Sequence, residues 1–168
     1  DLGRACLPQD FITSMGAALE GAFSEMESLE KGAIANPDEQ RMVGHYWLRN
    51  SECAPSAELR TLIESTNKDL KEFARKVHCA EISAPQGKRF KHILAIGIGG
   101  SALGPLFVSN ALKAKSDPMD LYFFDNTDLD GMARVLDSIP DLASTLVVVI
   151  SKSGGTKETR NGQIVAKE

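Results

Sequence analysis

Three hydroxyl side chains fall within six residues in Ser151-Lys152-Ser153-Gly154-Gly155-Thr156, with two glycines between them. Hydroxyls donate hydrogen bonds, and glycine lets an anion come close to the backbone. A second turn, Gly97-Ile98-Gly99-Gly100-Ser101, repeats these ingredients with one hydroxyl. Each turn follows a short apolar run and opens onto a helical pattern. A helix start leaves unpaired N–H groups and carries the positive end of the helix dipole. Together these features suit a small phosphorylated molecule. The candidate binding residues are Gly100, Ser101, Ser151, Lys152, Ser153, Gly154, Gly155 and Thr156. Two readings of the Lys152 side chain stay open: contact with the phosphate, or reach toward solvent or an acid. Thr156 also stands where the last helix would take its N-cap.

The nearest competing chemistry is dinucleotide binding. Gly97-x-Gly99-x-x-Ala102 satisfies the fingerprint G-x-G-x-x-G/A, and Asp125 closes the next apolar run where a ribose-binding acid would sit. Asp125 lies farther along than the usual interval of roughly 20 residues, however, and Ser101 puts a hydroxyl where a phosphate monoester wants one. A nucleotide-binding oxidoreductase would bind NAD(P) without the Ser151–Thr156 hydroxyls. The Walker order G-x-x-x-x-G-K-[ST] is absent from the second turn. Other conspicuous residues read as structural. His45 and Trp47 suit core or interface packing, and Glu25, Glu27 and Glu30 suit a solvated helix face. Asp125 and Asp128 suit the cap of the following helix, with pocket lining as the lesser reading.

The elements that must position these turns follow from periodicity. Phe11, Ile12, Met15, Leu19, Phe23, Met26 and Leu29 recur at three- and four-residue spacing and predict a helix over 10–31. Asn36-Pro37-Asp38-Glu39 reads as the start of a second helix running to Leu48. Ser56 caps a third, with Leu59, Leu62, Ile63, Leu70, Phe73 and Val77 as its buried stripe. Pro85-Gln86-Gly87-Lys88 breaks that rhythm. Beyond it, 92–96, 121–124 and 146–150 read as strands alternating with helices, the last buried on both faces. Pro105 is placed in the first turn of the helix after Ser101, and Gly104 lets that helix pack closely on the sheet. The expected fold is α/β with a parallel sheet, both glycine turns lying at its carboxyl edge. Residues 1–90 form a helical segment and 91–168 the α/β domain.

Composition narrows the classes of function. The chain has 168 residues and a net charge of −4, with scattered basic residues, which argues against nucleic acid as a partner. Cys6, Cys53 and Cys79 show no CxxC spacing, so neither a disulfide framework nor a zinc site is expected, and a reducing compartment fits better. No segment approaches the roughly 20 apolar residues of a membrane helix. The first residue is not Met and the last lies inside a helical pattern, so the chain reads as a piece of a longer protein.

Ile96-Gly97-Ile98-Gly99-Gly100-Ser101-Ala102-Leu103-Gly104-Pro105 resembles the first signature of the glucose-6-phosphate isomerase family. Val149 through Thr159 resembles its second phosphate loop in the cyanobacterial and plastid-like branch. Asn36–Glu39, His45–Asn50 and Phe124–Asp128 look like the same branch. The resemblance covers the chain from about Phe11 to Glu168. It implies a helical N-terminal segment followed by an incomplete first sugar-isomerase (SIS) domain, a three-layer αβα fold. It also implies that Gly100 and Ser101 touch the substrate and that Ser151 through Thr156 bind the phosphate of glucose 6-phosphate or fructose 6-phosphate. Family members interconvert these sugars by ring opening and proton transfer through a cis-enediol, with no metal or nucleotide cofactor. Their catalytic Glu, His, Lys and Arg come later in the chain, and no residue here matches those motifs. This piece alone is therefore expected to be inactive, and the whole protein to be a homodimer in the cytoplasm or the plastid stroma. The alternative is a non-catalytic SIS module that senses a phosphosugar.

Overall fold

The apolar runs after residue 90 form three parallel strands in the computed structural model, which describes residue 8 and residues 10–167. They are β3 (His92–Ile96), β4 (Asp120–Phe124) and β5 (Thr145–Val149), preceded in the chain by two short strands, β1 (Ile34–Asn36) and β2 (Arg41–Met42). The parallel sheet has the order β4-β3-β5, with Ile96 level with Phe124 on one side and Val149 on the other. The helices number α1 (Phe11–Ser14), α2 (Gly16–Glu30), α3 (His45–Arg49), α4 (Ala57–His78), α5 (Gly100–Leu112), α6 (Leu129–Ser138) and α7 (Lys157–Val165). The chain divides into two compact units, 1–71 and 72–168, and the division falls within α4.

In the second unit, strand alternation sends successive side chains to opposite faces. Leu94, Ile96 and Phe124 pack on Met132 of α6, joined by Tyr122, Val135, Leu136 and Val165, the last from α7. Leu121 and Phe123 look the other way, toward Leu106 and Ser109 of α5. Burying each of the large apolar side chains stabilises the sheet by roughly 1.5–3 kcal/mol. The path from β3 through α5 to β4 moves one way along the sheet, and the path through α6 to β5 moves back across β3. Right-handed crossovers then demand helices on opposite faces, as the packing has them. This is an α/β fold with a parallel sheet.

Several local expectations change. β5 is an edge strand among the described residues, so Val147 and Val149 are exposed rather than covered on both faces. Pro105 lies inside α5, past its first turn, because Gly99 at φ +55°, ψ −126° opens the helix at Gly100. The Ser101 carbonyl therefore lacks the N–H that residue 105 would normally donate. Gly104 faces open space and not the sheet.

In the first unit the long helix is interrupted at Met15, which separates α1 from α2. The helix expected from Asn36 to Leu48 is instead the antiparallel pair β1–β2 followed by the short α3. Asn36 Oδ1 does accept the Glu39 N–H at 3.0 Å, but Gln40 at φ +52° turns the chain back. Trp47 is buried and its Nε1 donates to the Glu30 carbonyl at 2.8 Å, tying α3 to the end of α2. His45 is exposed and stacks on Tyr46, so it is not a core residue. Ser56 caps α4 through the Leu59 N–H at 3.2 Å. Much of the apolar stripe of this unit is uncovered, with Phe23 67% and Leu62 60% exposed.

Candidate functional site

The chain leaving β3 turns toward α5 on one face of the sheet, and the chain leaving β5 enters α7 on the other. β3 and β5 are neighbours, and the two connections part at their carboxyl ends. Open α/β sheets bind ligands at such a switch point. The Ile150 N–H donates to the Ile96 carbonyl at 2.8 Å, so the strands stay paired up to the residue before Ser151. Paired strands lie about 4.8 Å apart, which starts both turns side by side.

The turn after β3 is built from backbone. The Gly97 N–H donates to the Phe124 carbonyl at 3.0 Å, Ser101 N–H to Ile98 at 3.2 Å, and Ala102 N–H to Gly99 at 3.1 Å. Gly97 is buried, and a Cβ there would sit 2.9 Å from the Ser101 Cβ, so only glycine fits under the first turn of α5. A Cβ on Gly100 would meet nothing within 4 Å, leaving its backbone open to a ligand. Ser101 is half-buried, and its hydroxyl has no hydrogen-bond partner among the described residues.

The turn after β5 is built by its hydroxyls. Ser151 Oγ accepts the Gly154 N–H at 3.0 Å, and Ser153 Oγ accepts the Gly155 N–H at 3.2 Å. Ser153 Oγ lies 3.4 Å from Thr156 Oγ1. A hydroxyl that accepts from the backbone keeps its own proton to donate. The N–H bonds thus fix each oxygen; Ser151 keeps its proton available for an anion, and the Ser153–Thr156 pair keeps one proton beyond the one that joins them. Gly154 at φ +71° makes the turn's reversal, a conformation that suits glycine. Thr156 occupies the N-cap position of α7, yet its side chain caps no helix N–H. That is a correction to its expected double role: the hydroxyl meets Ser153, and the first amides of α7 keep their donor capacity. Lys152 is exposed, and its side chain or backbone has a partner within the protein.

Ser151, Lys152, Ser153, Gly154, Gly155 and Thr156 are therefore gathered in one turn, and Gly100 and Ser101 open the helix beside it. No hydrogen bond joins Ser101 to the second turn among the described residues. Asp128 caps α6, accepting the Gly131 N–H at 3.0 Å. Asp125 does not cap; it accepts from Asn126 Nδ2 at 2.8 Å and lines a cavity of ≈290 Å³ with Asn126 and Arg134. That cavity lies at the outer end of β4, on the far side of β3 from the second turn. Among the described residues, no three His, Cys, Asp or Glu side chains converge in the manner of a metal site. Gly162 in α7 is the residue that sequence reasoning missed. A glycine inside a helix facing a sheet was the available signal.

A family model described as phosphoglucose isomerase matches residues 9–168. The chain is 56% identical over 168 residues to a glucose-6-phosphate isomerase of Geobacter sp. (strain M21), covering 99% of this chain and 32% of that protein. It is 56% identical over 165 residues to the enzyme of Synechococcus elongatus, covering 98% of this chain and 31% of the relative. For the enzyme of Thermosynechococcus vestitus the identity is 52% over 168 residues, covering 99% and 32%. The chain thus spans about a third of the length of the curated relatives it matches.

Proposed function

The chain belongs to the phosphoglucose isomerase family, and on that premise we propose that its two turns form the phosphate grip of a glucose-6-phosphate isomerase. The substrates are glucose 6-phosphate and fructose 6-phosphate. Ser101, Ser151, Ser153 and Thr156 donate hydroxyl protons to the phosphate oxygens, and Gly100, Gly154 and Gly155 let the backbone approach. Bonds from such donors to a dianion are charge-assisted and stronger than neutral ones. The phosphate takes no part in the reaction. Its binding energy fixes C1 and C2 against the groups that open the ring and move a proton between them. Those groups come from residues outside these 168, in a homodimer working in the cytoplasm, or in the plastid stroma if the source is a plastid.

The observation that supports this reading most is the parting of the two connections at the carboxyl ends of β3 and β5, with a hydroxyl-built turn on one side and an open helix start on the other. The match to isomerases along residues 9–168 favours it over a non-catalytic sensing module. No helix among the described residues is long and apolar enough to cross a membrane. A crystal soaked with fructose 6-phosphate tests the reading. The phosphate is expected within hydrogen-bond distance of Ser101, Ser151 and Thr156; a phosphate seated elsewhere overturns it.

A further inference from the structure

Gly162 sits in the middle of α7, within the polar stretch Arg160-Asn161-Gly162-Gln163. Glycine inside a helix costs stability relative to alanine, so its presence calls for a spatial reason. A Cβ on Gly162 would lie 2.8 Å from Ile96 Cγ2, with Phe124 Cδ2 at 3.6 Å and Met132 Cε at 3.8 Å. Ile96 is 1% exposed, and a close-packed core gives it no room to turn aside. Ile96 also ends β3 directly before Gly97, and its carbonyl takes the N–H of Ile150, directly before Ser151. One residue thus touches the root of both turns and the body of α7.

We infer that Gly162 is a positioning residue for phosphate binding. Its missing Cβ lets α7 rest on Ile96 at a depth that sets Thr156 and the second turn against Ser101. The inference rests on the phosphate-binding reading above. Polar contacts at the switch point then depend on an apolar contact roughly one and a half helical turns away.

The test is calorimetric titration of the full-length protein, unaltered and as Gly162→Ala, with fructose 6-phosphate. The added methyl forces α7 off the sheet, and losing one charge-assisted hydrogen bond weakens binding about tenfold. The compensating variant Gly162→Ala with Ile96→Leu moves the branch from Cβ to Cγ and restores affinity to within about twofold, the coupling expected of residues in contact. A residue important only for stability would shift the unfolding midpoint and leave the affinity of the folded protein alone. If Gly162→Ala does not fold, the double variant carries the test, and weak binding by a folded double variant overturns the inference. Equal binding by the unaltered protein and a folded Gly162→Ala also overturns it, and leaves the phosphate-binding reading standing. Failure of the unaltered full-length protein to bind overturns both.

Discussion

The turn after β3 is held together by its own backbone, whereas the turn after β5 is held by the same hydroxyls to which the proposed phosphate grip is assigned. In the first, three N–H groups close onto carbonyls and Ser101 contributes nothing to the scaffold beyond its amide. In the second, Ser151 and Ser153 each secure a glycine amide. On the proposed reading, binding and architecture are therefore separable in one turn and fused in the other. A serine in the first can be lost without moving its neighbours. A serine in the second takes the shape of the cradle with it.

Replacing Ser151 tests that difference where the effect is largest. Ser151→Ala removes a proposed donor to the phosphate and also releases the Gly154 N–H. Each hydrogen bond to a charged group is worth roughly 1.5–3 kcal/mol, and disorder of the turn adds to the loss. Affinity for fructose 6-phosphate is expected to fall about 100-fold, with a displaced Gly154 amide signal in NMR spectra of the free protein. Ser101→Ala removes one donor and no internal bond, so it costs about tenfold and leaves the free spectrum nearly unchanged. Equal losses from the two variants, or a silent Gly154 amide in Ser151→Ala, would break the distinction.

The two helix starts that follow β4 and β5 give a smaller contrast. Asp128 caps α6 through the Gly131 N–H, while Thr156 stands at the same position of α7 and caps nothing. Asp128→Ala is expected to lower stability by about 1 kcal/mol in denaturant titration and to leave phosphate affinity alone. Thr156→Ala should do the reverse, with a stability change within about 0.5 kcal/mol and a several-fold weaker affinity. A Thr156→Ala variant as unstable as Asp128→Ala would mean that the threonine is a structural cap after all.

How much of this was legible in the sequence follows from which interactions are local. The turns were legible because both glycine runs sit between an apolar strand and a helix, and local chemistry fixes both sides. The sequence of the β1–β2 hairpin reads as a helix for a physical reason. Asn36 accepts the N–H of Glu39 in either structure, since an N-cap and a tight turn share that first bond. Gln40 and Gly44 decide against continuation, and Gly44 is needed because a Cβ there would sit 2.8 Å from the Trp47 ring. That contact depends on Trp47 folding back beneath its own helix, which spacing alone does not announce. Gly162 was hidden for a similar reason. Its neighbours Arg160, Asn161 and Gln163 are polar, and its importance comes from Ile96, far away in sequence. Asp125 and Asp128 looked interchangeable as caps until backbone geometry chose the second.

The smallest expected effect uses pH to sharpen the same comparison. The hydroxyls and amides of both turns do not titrate between about pH 7 and pH 9, so the ratio of the Ser151→Ala and Ser101→Ala losses should stay constant there. One cluster that does respond to acid lies at the end of α4. Arg75 donates to Glu72 and Glu81 at 2.6 to 2.9 Å, and those bonds hold both carboxyls below their ordinary value of 4.5. A depressed carboxyl stabilises the folded state above its unfolded value and loses that contribution as pH falls through the folded one. All three side chains are about half exposed, so the contribution is small and weakens with salt. Arg75→Ala should therefore lower the unfolding midpoint slightly above about pH 5, and the gap to the unaltered chain should close as pH falls below 4.5. A gap that instead widened in acid would mean that Arg75 stabilises through something other than these two carboxylates.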